Sequence, residues 1–290
     1  METDMRLIKS ILAAGGDARQ LYCAERLAAH FDISVTGFSE SAFPEGMSLK
    51  RLSAAGKSHF DCVILPIPAL DGEGFVNTPL SQEKLPLETI RGLLAPGGIV
   101  FAGRVTEELR RVFPENPVID YSVREELCLR NAVPTAEGAV QIALSELPVT
   151  LCGLPVLIIG LGRIGTALAG ILRGFGAQVT AAVRSPVGRA KAAAMGIPAV
   201  SCGELPTDFG LVVNTAPELV LDWEKLGNFG TSTLFIDLAS KPGGIDMEAA
   251  AELGLKVIWA LGLPGRCAPV TAGYIAADTI AGIIEERGEA

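Results

Sequence analysis

The sequence predicts an α/β protein built from two open parallel-sheet α/β domains, the second a Rossmann dinucleotide-binding domain. Three observations carry this expectation. Short apolar runs alternate with helical patterns along the whole chain, a Gly-x-Gly-x-x-Gly motif directly follows one of those runs, and 290 residues that are 49% hydrophobic suffice for two packed cores.

The predicted strands of the first half lie at residues 10–14, 33–38, 62–65 and 99–101. Those of the second half lie at 156–159, 179–183, 211–214, 234–237 and 257–260. Strand, helix, strand in regular succession implies right-handed crossovers and hence parallel sheets. Between the halves, residues 123–132 and 136–147 read as two helices interrupted by Pro134. The expected division is a substrate domain over 1–122, connecting helices over 123–150, the dinucleotide-binding domain over 151–268, and a C-terminal helix over 269–290 that packs back on the first domain.

Charge and cysteine usage narrow the function classes. Lys and Arg total 24 against 33 Asp and Glu, a net charge of -9, and no basic patch stands out. A nucleic acid or an anionic membrane would meet net repulsion, so neither is expected as a partner. The six cysteines are far apart and never form Cys-x-x-Cys, which suits reduced thiols in the cytoplasm and gives no metal site. Glu2, Asp4, Arg6 and Lys9 break up the first residues, so no signal peptide is expected, and no stretch reads as a membrane span.

Gly160-Leu161-Gly162-Arg163-Ile164-Gly165 follows an apolar strand and opens a helix. Gly160 would make the tight turn, Gly162 would admit a pyrophosphate to the backbone, and Gly165 would let helix and strand pack closely. At the end of the next strand, where an NAD enzyme usually carries a carboxylate for the ribose, this chain has Arg184-Ser185, with Arg189 nearby. A guanidinium and a hydroxyl complement a 2′-phosphate, so the expected cofactor is NADP. Three further segments leave predicted strand ends and are expected to line the cofactor crevice. They are Asn214-Thr215-Ala216-Pro217, Leu238-Ala239 within 237–244, and Gly262-Leu263-Pro264. Proline and glycine at these places are also ordinary strand terminators.

Gly15-Gly16-Asp17-Ala18-Arg19-Gln20 joins a strand to a helix but lacks the three-glycine fingerprint, so a second nucleotide site is not expected. Asp17 reads equally well as a helix cap and Arg19 as a surface charge. His30 and His59 are the only histidines, and neither lies in the cofactor domain, which argues against a histidine proton relay. Acid or base work would then fall to Lys241, Glu137, Asp237 or water. Asn131 to Gly138 lies at the expected domain junction, where Thr135 after Pro134 also reads as a helix cap.

Taken together, residues 15–20, 131–138, 160–163, 182–185, Asp237 to Ser240 with Pro242 to Gly244, and Gly262 to Gly265 with Ala268-Pro269 and Thr271 to Gly273 resemble the A-subunit family of dipicolinate synthase over nearly the whole chain. The resemblance implies a two-domain subunit that uses NADP to form dipicolinate from a dihydrodipicolinate-level intermediate of the lysine pathway. It would act in the mother cell of a sporulating bacterium with the flavoprotein-like B subunit of dipicolinate synthase. The substrate would be a small dicarboxylate, and a homo-oligomer is compatible with the reading. Arg19, Gln20, Asn131 and Thr135 would then bind substrate, and Lys241 would stand where family members carry arginine. Arg266 stands where the family has a small or apolar residue and is not counted toward the site. Two other readings compete: a non-catalytic NADP-binding subunit regulating the flavoprotein partner, and a stand-alone shikimate- or hydroxyacid-type dehydrogenase.

Overall fold

The computed structural model describes residues 7–52 and 59–288. They form two compact units: residues up to 130 together with those from 268 onward, and residues 131–267.

The first unit begins with β1 (Ser10–Ala14), α1 (Ala18–Leu27), β2 (Asp32–Thr36), β3 (Lys50–Arg51), β4 (Phe60–Ile64), α2 (Leu87–Leu93), β5 (Leu94–Ala102), α3 (Glu107–Val112) and β6 (Val118–Asp120). All pairings are parallel, in the order β3-β2-β1-β4-β5-β6. Ile11, Leu12 and Ala14 are wholly buried because helices cover both faces of the sheet, and a strand buried on both sides reads as a continuous apolar run rather than an alternation. The sequence reading missed β3 and β6, which have two and three residues and carry too little pattern to register.

The long helix α4 (Glu125–Glu146) corrects the expectation of two connecting helices. Pro134 lies inside it, where it removes one backbone donor at a cost of about 3 kcal/mol. The helix continues because Ala132, Ala136, Ala139, Val140 and Ala143 form one buried stripe across the proline, and packing outweighs propensity. Thr135 is therefore not a cap. Its hydroxyl donates to the Asn131 carbonyl within the helix at 2.8 Å. The boundary between the units falls within α4, at Arg130/Asn131.

The second unit continues with β7 (Pro155–Ile159), α5 (Arg163–Gly174), β8 (Gln178–Val183), α6 (Pro186–Ala194), β9 (Ala199–Ser201), β10 (Leu211–Asn214), α7 (Trp223–Leu226), β11 (Leu234–Asp237), α8 (Met247–Glu252), β12 (Lys256–Trp259) and α9 (Leu263–Cys267). Its all-parallel sheet runs β12-β11-β10-β7-β8-β9, the same winding as the first. In each sheet the order reverses once, beside β1 in the first and beside β7 in the second. That reversal opens a crevice at the strands' carboxyl ends.

The final helix, α10 (Pro269–Glu286), belongs to the first unit and packs on α1. A side chain at Gly273 would meet the Arg19 carbonyl oxygen at 2.5 Å and the Tyr22 Cβ at 2.7 Å, so the glycine sets how closely the helices approach. The apolar stripe of α10 is interrupted by Asp278, whose carboxylate accepts from Arg26 of α1 (2.5 Å) and Arg130 of α4 (2.9 Å). Burial raises the Asp278 pKa, but the two guanidiniums outweigh it and hold the carboxyl below its ordinary range. Ile275, Ala277, Ile280, Ile283 and Ile284 join the core beneath α1. None of the six cysteines forms a disulfide. Among the described residues no helix is long and apolar enough to cross a membrane, and no group of three or more His, Cys, Asp or Glu is placed to hold a metal ion.

Candidate functional site

The turn between β7 and α5 separates its three glycines by what each one meets. Gly160 has φ +90°, a conformation that L side chains rarely adopt, and a Cβ there would lie 2.8 Å from the Thr215 hydroxyl. A Cβ on Gly165 would overlap the Gly160 carbonyl oxygen and sit 3.0 Å from its carbon. Both glycines are thus demanded by the protein itself. Gly162 is not. It caps α5 at φ -73°, with nothing within 4 Å of a Cβ position and no side chain capping the helix. A glycine that its own fold does not require, beside an uncapped helix N-terminus, fits a pyrophosphate resting on the backbone. Arg163 stands exposed at the first helical position, and Ile164 packs partly against the core.

Beyond β8, Arg184 is exposed but not an isolated cation. Its Nη1 and Nη2 donate to Glu218 Oε2 (2.5 Å) and Oε1 (3.1 Å), and this pairing holds the Glu218 carboxyl below its ordinary pKa. Ser185 caps α6 by accepting from the Gly188 amide at 3.0 Å, which leaves its hydroxyl proton to donate, and Arg189 is exposed on the same helix. The sequence reading missed two residues here. Glu218 lies on the loop after β10, and Lys191 Nζ donates to the Leu161 carbonyl inside the glycine turn at 3.0 Å. No local pattern marks either, because each reaches a partner 30 or more residues away.

The ends of β10 and β11 are tied into one knot. Asn214 and Asp237 are buried. Asp237 Oδ1 accepts from Asn214 Nδ2 (2.7 Å) and the Ala239 amide (3.0 Å), while Oδ2 accepts from the Gly244 amide (2.8 Å). Asn214 also donates to the Ala216 carbonyl and accepts from its amide. Asp237, expected from sequence as an acid or base, is 1% exposed and accepts from three donors, which makes it a clamp that shapes the crevice floor. Asn214 acts likewise through its neighbours. Thr215 donates to the Ile159 and Gly160 carbonyls (2.9 and 3.1 Å), pinning the glycine turn from the adjacent strand. Ala216 is half-buried and Pro217 exposed, whereas Leu238 and Ala239 are buried, with the Ala239 carbonyl accepting from the Trp259 indole.

Gly262 is open and has φ +69°. Leu263 and Pro264 are buried, and a Cβ on Gly138 would meet Leu263 at 3.0 Å, so Leu263 packs α9 on α4. Lys241 and Glu137 are exposed. The side-chain oxygen of Asn131 is buried with no hydrogen-bond partner among the described residues, a costly state that a ligand donor would relieve.

In the first unit, Arg19 is held by Asp17 (Nε to Oδ1 2.9 Å, Nη2 to Oδ2 2.8 Å) and reaches the Ile67 carbonyl at 3.2 Å, at the carboxyl end of its sheet. Gln20, expected from sequence to contact substrate, is 5% exposed and donates through Nε2 to the Ile64 carbonyl at 2.9 Å, which fastens α1 to β4. The Gly15-Gly16 turn occupies the same topological position as the turn after β7. Its amides are already spent, Gly15 on the Thr36 carbonyl and Gly16 on the Asn77 carbonyl at 2.7 Å. No amide of that pair is left for a phosphate.

Comparison with known proteins covers both units. The family model for the N-terminal domain of the dipicolinate synthase A subunit matches residues 10–121, and that of the D-isomer specific 2-hydroxyacid dehydrogenase NAD binding domain matches residues 135–240. The dipicolinate synthase A subunit of Bacillus subtilis (strain 168) is 31% identical over 284 residues, 95% of this chain and 96% of the relative. The crystal structure of the dipicolinate synthase A subunit from Bacillus halodurans superposes with a TM-score of 0.86 at 30% identity, covering 97% of this chain and 99% of the other. The crystal structure of its Bacillus subtilis counterpart gives a TM-score of 0.84 at 30% identity over 99% of both.

Proposed function

The chain belongs to the A-subunit family of dipicolinate synthase, and on that premise we propose that it is an NADP-dependent oxidoreductase subunit that forms dipicolinate from a dihydrodipicolinate-level intermediate of the lysine pathway. Its second unit is a nicotinamide-dinucleotide-binding domain of the hydroxyacid dehydrogenase type. The observation that carries the reading is the open Gly162 position in a turn whose other two glycines the fold requires, in a chain that matches a family member over 95% of its length.

Bound at this turn, the dinucleotide supplies a hydride acceptor. The substrate loses one hydride and one proton, and the ring becomes aromatic. The residues of the chain bind and orient. The α5 N-terminus and the Gly162 backbone receive the pyrophosphate. Arg184, with the Ser185 hydroxyl and Arg189, takes the 2′-phosphate. Gly262 leaves backbone open at the strand ends, above the floor that Asn214 and Asp237 fix. Lys241, exposed on the loop after β11, is the cation proposed for a substrate carboxylate. With Asp237 sealed, proton removal falls to Glu137, Lys241 or water. The partner is the flavoprotein-like B subunit, and the setting is the mother cell of a sporulating bacterium.

The locked Asp237 favours one other reading, in which this subunit binds NADP and regulates a partner that does the chemistry. Purified chain mixed with NADP and freshly made dihydrodipicolinate, with and without the B subunit, separates the two. NADPH and dipicolinate formed by the chain alone establish catalysis here. Formation that needs the partner, and that persists when the G162A substitution has abolished dinucleotide binding by this chain, overturns it.

A further inference from the structure

We infer that Glu218 sets the balance between the two nicotinamide dinucleotides, by competing with a 2′-phosphate for Arg184. This rests on the proposed phosphate role of Arg184. The carboxylate expected on the strand after the glycine turn is missing from β8, but one is nevertheless present at that place. It arrives from the loop after β10, 34 residues along the chain, and meets Arg184 through two hydrogen bonds of 2.5 and 3.1 Å.

Glu218 is delivered by a pinned loop. At one end Asn214 bonds the Ala216 amide and carbonyl, and at the other the Val220 and Leu221 amides both donate to the Gly244 carbonyl at 2.9 and 3.0 Å. Side-chain exposures of 61% for Arg184 and 59% for Glu218 make the pair one that solvent screens, so an incoming phosphate can displace it. While formed, it occupies both terminal nitrogens of the guanidinium and places a negative charge beside the phosphate's path. NADP must exchange one anion for another at Arg184. NAD, with a ribose hydroxyl there, leaves the pair intact. Glu218 therefore holds NADP affinity down without touching NAD, and the site accepts both more evenly than Arg184 alone would dictate.

The test is equilibrium titration calorimetry of the full chain with NADP, NAD, 2′,5′-ADP and 5′-ADP. E218Q is expected to tighten NADP and 2′,5′-ADP about fivefold, the upper range for an exposed charge pair, with NAD and 5′-ADP unchanged. In the R184A background the same substitution is expected to do nothing, because the contested cation is gone. If E218Q leaves the NADP-to-NAD affinity ratio as it was while R184A lowers it, Glu218 is a bystander and the inference fails, with the phosphate role of Arg184 intact. If R184A leaves the ratio unchanged, the reading of Arg184 fails and takes the inference with it.

Discussion

Replacing Gly162 and Gly165 separately by alanine should split cofactor binding from folding. The Gly165 methyl would overlap the Gly160 carbonyl oxygen, and the obstacle is backbone, which cannot rotate aside as a side chain can. Overpacking costs about 1–3 kcal/mol, and an unyielding neighbour puts this case near about 3 kcal/mol. At about 2–4 °C per kcal/mol, G165A should lower the melting temperature of the second unit by roughly 6–12 °C. At Gly162 the methyl enters open space at φ -73°. Alanine is a poorer helix cap than glycine by some tenths of a kcal/mol, but it removes about 0.4–1 kcal/mol of unfolded-state freedom, so the two effects nearly cancel. G162A should therefore melt within about 0.5 kcal/mol of the parent while binding NADP and NAD more than about tenfold more weakly, because the methyl stands where a pyrophosphate must approach. Differential scanning calorimetry of the unliganded variants and titration with each dinucleotide measure the two halves. Normal binding by G162A would mean that the pyrophosphate does not rest on that amide, and a melting shift as large as that of G165A would mean that the space is not open.

Three further outcomes follow from the same geometry. Asp237→Asn must turn an N–H toward one of the donors the carboxylate now accepts, and should cost about 3 kcal/mol in denaturant unfolding of the second unit. Asp278→Asn should lower the melting temperature of the first unit by a few degrees at neutral pH. The folded Asp278 pKa is depressed, so its contribution is full above the unfolded value of about 4 and is lost as pH falls through the folded pKa. Parent and variant melts should therefore converge in acid, and a constant gap across a pH series would refute the assignment. Lys191→Met keeps most of the side-chain bulk but removes the cation that reaches the Leu161 carbonyl. It should weaken dinucleotide binding about threefold with little effect on melting, as checked by the same titration.

The sequence made the fold legible because its strongest signals are local. Apolar runs such as Ile11–Ala14 and Val156–Ile159 are buried on both faces, and the glycine turn carries its own mechanical reasons. Pro134 misled because its local cost is real and only the stripe from Ala132 to Ala143, a tertiary matter, overrides it. At the site, a carboxylate at a strand end looked the same in sequence whether it faces a ligand or its own loop. Asp237 could be told apart only once the amides of Ala239 and Gly244 and the Asn214 side chain were seen to close on it. Gln20 went the same way through the Ile64 carbonyl. Glu218 and Lys191 were invisible because their partners are distant in sequence and near only in the folded sheet.

The return of α10 to the first unit carries a consequence for how the protein is made. The second unit is a continuous stretch, residues 131–267, whereas the core of the first waits for Ile275, Ile280, Ile283 and Ile284, which leave the ribosome only after that stretch. The amino-terminal sheet, though synthesised first, cannot complete its core until α10 is made, and the face of α1 that α10 covers must wait through the whole synthesis of the dinucleotide-binding unit. A premature stop soon after residue 267 would spare the later-made domain and spoil the one made before it.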